Sequence, residues 1–217
     1  MNENKFLTIE EYIEDCIHPN SSQGRMPAKQ VKVKVEGDII RFEGDLLIDG
    51  DKVISNLNWN IVEANSAKII NNAVSDYEKL PQCRNGLRGD ETLPLPQNVT
   101  AFLSKNAAGH FREENGGFRI SGNLHLFKFP ELDLSKVRVE KALLLRGDEK
   151  VDFFKLPKAA KIMGLKPENI LFPRGQRAGF SEMKQKGLGR EACLKLSGKE
   201  PKMLEKLIAG VKSTLGF

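Results

Sequence analysis

Cysteine is scarce and scattered. The three residues Cys16, Cys83 and Cys193 form no Cys-x-x-Cys pair, which speaks against a disulfide framework and a cysteine-based structural zinc site. Free thiols and a reducing compartment are the expectation. Charged residues make up 29% of the chain, no apolar run reaches the ~18 residues of a membrane span, and the segment Met1 to Ile17 lacks the apolar core of a signal peptide. The expected location is the cytoplasm, or a host cytosol reached without a classical signal. Neither Gly-x-Gly-x-x-Gly nor a Lys-ended P-loop occurs, and His18, His110 and His125 are far apart. No cofactor and no metal site are therefore expected. Cys83 and His110 could pair as nucleophile and base, but Cys83 follows Pro81-Gln82 without the small residues that open a backbone to an oxyanion hole. No catalytic residue is assigned.

What the chain does have is enough apolar content, 40% of 217 residues, for a real core. Its charge is unevenly divided: residues 1–154 carry net −4 and the remainder net +9. Such a basic segment attracts an acidic protein face or a polyanion, nucleic acid included. The cations Lys184, Lys186, Arg190, Lys195 and Lys199 fall in a polar, Gly-punctuated stretch and are expected to be exposed and available to such a partner. Tail aromatics for stacking single-stranded nucleic acid are few, Phe172 and Phe180 being the central ones.

Along the chain, Thr8 and Glu11 have the spacing of a capping box, followed by Ile9, Tyr12, Ile13 and Ile17 at helical spacing. From Val31 the period changes to two, the mark of a strand. Ile69, Ile70, Ala73, Val74 and Tyr77 then return to helical spacing, predicting a helix over about 63–80 closed by Pro81. A second β region runs from about Phe118 to Phe154, and helices are expected at Lys158–Gly164 and Pro201–Leu215. Two Arg-Gly-Asp tripeptides, starting at Arg88 and Arg146, read as ordinary turns.

Residues 118–136 and 137–155 align without a gap. Phe118, Ile120, Leu124, Leu126, Leu132 and Leu134 match Val137, Val139, Leu143, Leu145, Val151 and Phe153, and Arg119/Arg138, Asp133/Asp152 and Lys136/Lys155 also coincide. Short in-out-in triplets separated by turns are what a coil of a parallel β-solenoid requires. Residues 40–55 fit the same template, and Leu93, Leu95, Val99 and Ala101 suggest a fourth coil.

Phe118-Arg119-Ile120-Ser121-Gly122-Asn123-Leu124-His125-Leu126 and Ile40-Arg41-Phe42-Glu43-Gly44-Asp45-Leu46-Leu47-Ile48 resemble the Val-x-Gly-Asp/Asn-Leu-x-Leu units of leucine-rich-repeat-like solenoids of bacterial and phage proteins, some of them secreted effectors. Leu95-Pro96-Gln97-Asn98-Val99 is similar to the stretch that precedes such units. Lys141-Ala142 departs from the pattern where the family has Gly-Asp. The resemblance covers at most half of the chain, and implies a scaffold that binds proteins through a stacked β surface, with no shared active site.

The expected fold is mainly β with helices (α+β): a short parallel β-solenoid with a helical insertion and a helical C-terminal cap. Residues 1–30 form an N-terminal helix and linker, 31–155 the solenoid-like domain, and 156–217 a basic helical region. The expected function is protein–protein interaction, as in an effector acting on a host protein. A hydrolase or transferase with a site between solenoid and tail, and polyanion binding through the tail, are the competing readings. Arg119 and Arg138, stacked like charges that a partner could offset, and the aromatic pair Phe127 and Phe129 join the tail cations as candidate binding residues.

Overall fold

The computed structural model describes residues 5–17, 32–145 and 150–198. Helix α1 (Ile9–Ile17) is followed by strands β1 (Lys32–Glu36), β2 (Ile39–Asp49), β3 (Val62–Ile70), β4 (Gln82–Cys83) and β5 (Leu87–Gly89), then by helix α2 (Val99–Asn106). A second series comprises β6 (Phe111–Glu114), β7 (Gly117–Ile120), β8 (Leu124–Leu126), β9 (Val137–Leu145), β10 (Val151–Asp152), β11 (Lys158–Met163) and β12 (Ile170–Leu171), and ends in α3 (Phe180–Gln185) and α4 (Arg190–Leu196). The described residues thus form a mixed α/β fold of short helices and mixed, largely parallel sheets, with no closed barrel.

The two series follow one plan. Each opens with an antiparallel hairpin, β1–β2 or β6–β7. The chain then returns so that each new strand lies parallel to the one 19 to 22 positions earlier: β3 on β2, β4 and β5 on β3, β9 on β7 and β8, β11 on β9, β12 on β10. Alternation puts Ile40, Phe42, Leu46 and Ile48 into a first core, and Ile120, Leu124, Leu126, Val139, Leu143 and Leu145 into a second. Between rungs, Asp45 accepts a hydrogen bond from the Ser66 hydroxyl, and Asn123 Oδ1 accepts one from the Ala142 N–H at 3.0 Å. The Gly-Asp/Asn dipeptides therefore bracket one rung to the next.

Each series also contains the same hexapeptide pattern. Asp76-Tyr77-Glu78-Lys79-Leu80-Pro81 and Asp152-Phe153-Phe154-Lys155-Leu156-Pro157 form 3-10 turns in which the aspartate accepts a hydrogen bond from the N–H two residues on. A buried lysine answers each turn. Lys105 Nζ donates to Glu78 O at 2.8 Å and to Asn60 Oδ1 at 2.7 Å; Lys186 Nζ donates to the carbonyls of Phe153, Phe154 and Leu156 at 2.9, 3.0 and 2.8 Å. The residue after each lysine accepts from an edge strand: Asn106 Oδ1 accepts from the Leu87 N–H of β5 at 2.9 Å, and Gly187 O accepts from the Ile162 N–H of β11 at 2.9 Å. At Gly187, φ is +92° and a Cβ would lie 2.4 Å from Ala159 O, so only glycine lets the chain come this close.

The N-terminal helix forms as its capping box predicts, the Glu11 N–H donating to Thr8 Oγ1 at 3.2 Å and the Thr8 N–H to Glu11 Oε2 at 3.3 Å. It buries Ile9, Tyr12 and Ile13 on the first core, with Tyr12 edge-on to Phe6 and to Trp59. The pairing Phe118↔Val137 and Leu124↔Leu143 has the 19-residue register that the aligned blocks predict.

Three expected segments are corrected. Residues 63–80 are not a helix: Val62–Ile70 is strand β3, followed by Asn71 and Asn72 at φ 56° and 53° and by a 3-10 turn at Tyr77–Lys79. A strand end, a left-handed Asn pair and a tight turn together point Ile69, Ala73, Val74 and Tyr77 inward, which imitates helical spacing. Lys158–Met163 is strand β11, its alanines yielding to the ladder offered by β9. The suggested fourth coil is instead α2, capped by Asn98 Oδ1 accepting from the Ala101 N–H at 2.8 Å, with Leu95 exposed before it. The helix expected at 201–215 lies outside the described residues. β11 and β12, beyond Lys155, pair with β9 and β10.

The turn ladder of the first series yields a test. Asn71 Nδ2 donates to Asp49 Oδ1 at 2.8 Å, and the Asn71 N–H to Asp90 Oδ2 at 2.8 Å; beside them a Cβ on Gly50 would lie 1.8 Å from Asn71 O, whereas Gly122 has nothing within 4 Å. Gly50→Ala should cost about 2–4 kcal/mol in urea unfolding, and Gly122→Ala less than about 1 kcal/mol.

Candidate functional site

The outward face of the second sheet carries the clearest site. Strand alternation turns Arg112, Arg119, Arg138 and Lys158 to the same side, and the registers Arg112↔Arg119, Arg119↔Arg138 and Arg138↔Lys158 place them in one row across β6, β7, β9 and β11. Neighbouring members stand about 5 Å apart, the spacing of paired strands. The row crosses a cleft of about 1040 Å³ whose walls include the Glu114–Gly117 turn at one end and Gln185 of α3 at the other.

Carboxylates neutralise one end of the row only. Glu114 Oε2 lies 3.4 Å from both Arg112 and Arg119, and Glu140 forms a close ion pair with Arg119. Glu140, then Glu114, holds the Arg119 guanidinium above its ordinary value by hydrogen bonding to the charged form. Arg138 and Lys158, both exposed, have no ion-pair partner among the described residues. Lys136 adds another cation to the lining.

The residues expected to bind are divided by the fold. Arg119 and Arg138 share the cleft. Phe127 instead lies against the first series, its ring 5.2 Å from the Arg88 guanidinium, and Phe129 packs on the second core. Lys184 sits 5.6 Å from the Phe180 ring, and Lys195 pairs with Glu168 at 3.1 Å. Arg190 is exposed at the first turn of α4; Lys199 lies outside the described residues. The expectation of exposure is wrong for Lys186, which is 6% exposed and spends its charge on three carbonyls and the Phe153 ring. Desolvation pulls its pKa below the ordinary lysine value. Sequence reading missed Arg112 and Lys158; both follow once the row through Arg119 and Arg138 is extended by one strand on each side.

Cys83 and His110 are not brought to a common exposed site. Cys83 is fully buried in the first core and its thiol is pushed up by desolvation, while His110 is exposed in the turn after α2. Burial also pushes the Cys16 thiol up to about 12. Among the described residues no group of His, Cys, Asp and Glu has the arrangement of a metal site, and no helix is long and apolar enough to cross a membrane. No family model matches the chain, nor does any curated protein or solved structure.

Two outcomes follow. Lys186→Met should lower stability by about 2–4 kcal/mol, because it leaves carbonyls unpaired in the core, whereas Lys184→Met should change it by less than about 0.5 kcal/mol. In the native protein at pH 8, Cys83 should react with a thiol reagent only at the rate of unfolding, since a buried, protonated thiol is a poor nucleophile; fast native-state alkylation would restore the nucleophile reading.

Proposed function

We propose that the chain is a protein-binding module: a short β-solenoid whose stacked rungs hold a rigid outward face against a protein partner. The observation that carries this reading is the in-register row Arg112–Arg119–Arg138–Lys158, of which Arg119, Arg138 and Lys158 line the cleft of the second sheet. Rigid strands fix the spacing of its charges, and an open cleft lined by a hairpin turn and by Gln185 of α3 suits an extended segment of another chain. The 19- to 22-residue rung spacing and the bracketing Gly-Asp/Asn dipeptides support the solenoid description. The hydrolase reading finds no support in the placement of Cys83 and His110.

A photo-crosslinking amino acid tests the reading at Ala160, an exposed position in the cleft, against Arg84, the exposed position that corresponds to it in the first series. The Ala160 probe should give a nuclease-resistant, protease-sensitive adduct in the native cell, and the Arg84 probe should not. Adducts to nucleic acid, or equal protein adducts at both positions, would contradict it.

A further inference from the structure

The two series place their outward charges at matching positions, which makes the first a built-in control for the second. In the first, the registers Lys34↔Arg41, Arg41↔Glu63 and Glu63↔Gln82 lay a row across β1, β2, β3 and β4. Lys34 there corresponds to Arg112, Arg41 to Arg119, Glu63 to Arg138 and Gln82 to Lys158. The hairpin ends agree: Arg41 lies 2.9 Å from Glu36, as Arg119 lies 3.4 Å from Glu114. The remaining positions differ in sign. Glu63 closes on Arg41 at 3.2 Å and Gln82 is neutral, so the first row is self-neutralised, with Lys34 paired to Glu43 at 3.5 Å.

The same backbone plan is therefore built with a balanced row in one series and, in the other, with two cations, Arg138 and Lys158, that have no ion-pair partner among the described residues. Like charges in register oppose one another, so folding alone does not ask for them. We infer that Arg138 and Lys158, with Lys136 beside them, form a recognition site for an acidic peptide segment laid across the strands of the second sheet. This rests on the binding-module reading and adds its ligand class. Carboxylates on alternate residues of an extended peptide recur every ~6.6 Å, which lets a Glu-x-Glu segment reach both cations. Glu114 and Glu140 sit in the same cleft. They would repel a uniformly charged backbone such as single-stranded nucleic acid, whereas a peptide can place neutral or basic side chains opposite them. Exposed aromatic platforms for bases are also missing from the cleft lining, where Phe118 is half-buried in the core.

The experiment is a fluorescence-anisotropy titration of the full chain with a labelled peptide of alternating Glu and Ser, and with an oligothymidylate of matched charge. The peptide should bind at low salt, weaken as salt is added, and bind more tightly than the oligothymidylate. Arg138→Glu with Lys158→Gln, which installs the first-series residues, should weaken the peptide at least about tenfold, a loss of ~1.4 kcal/mol. The reciprocal change, Glu63→Arg with Gln82→Lys, should raise the stoichiometry towards two peptides per chain. Tighter binding of the oligothymidylate would overturn the acidic-peptide assignment. Equal peptide affinity in wild type and in Arg138→Glu/Lys158→Gln would overturn the site. If the Ala160 probe still crosslinks to a protein while the peptide fails to bind, the module reading stands and only the ligand class falls; if both fail, the reading itself falls.

Discussion

A parallel ladder that stops leaves a strand edge with unpaired N–H and C=O groups, and satisfying that edge is the constraint on which the rest of this structure depends. Each series meets it with the same device: a buried ammonium at the end of a helix donates to one or more backbone carbonyl oxygens of a 3-10 turn, and the next residue accepts an N–H of an edge strand. Burying an ammonium costs desolvation, which is why Lys105 and Lys186 both have depressed pKa values. Hydrogen bonds offset that cost, two to oxygens of Asn60 and Glu78 for Lys105 and three to backbone carbonyls for Lys186.

Because each series closes its own edge, the second can begin beside the first without sharing its ladder. The junction is tight: Gly86 sits where a Cβ would be 2.3 Å from His125 O, Arg88 lies over the Phe127 ring, and α2 contributes Ala101 to the first core and Phe102 and Leu103 to the second. Closure from within leaves the outward faces open. The two faces differ, the first balanced in charge and the second cationic beyond its hairpin. A face built twice and charged once is the strongest argument that the charge serves something outside the fold.

Much of this was legible in the sequence at the level of one rung. The 19-residue alignment of 118–136 with 137–155 predicts the register of β7 and β8 on β9, and Thr8 with Glu11 predicts the cap of α1. The larger repeat, written in the Asp-aromatic-x-Lys-Leu-Pro hexapeptides at Asp76 and Asp152, escapes a search for apolar periodicity because its conserved part is a turn. Residues 63–80 misled for a physical reason, since left-handed asparagines can bring every third or fourth side chain inward as a helix does. Burial of Lys186 was not legible at all: nothing local separates it from Lys184, and only the carbonyls it meets, some 30 residues earlier, decide its place.

As proposed, Arg138 and Lys158 serve recognition and are not needed for folding. Urea unfolding of Arg138→Glu/Lys158→Gln tests it most directly. Arg138 and Lys158 face solvent without ion-pair partners among the described residues, so installing the first-series residues removes repulsion between neighbours in the row and gives Arg119 an acid directly in register, beside the off-register Glu114 and Glu140. The midpoint should equal or exceed that of the wild type, with an unchanged m value. A midpoint clearly below the wild type would show that the row holds the sheet together, and would contradict the claim.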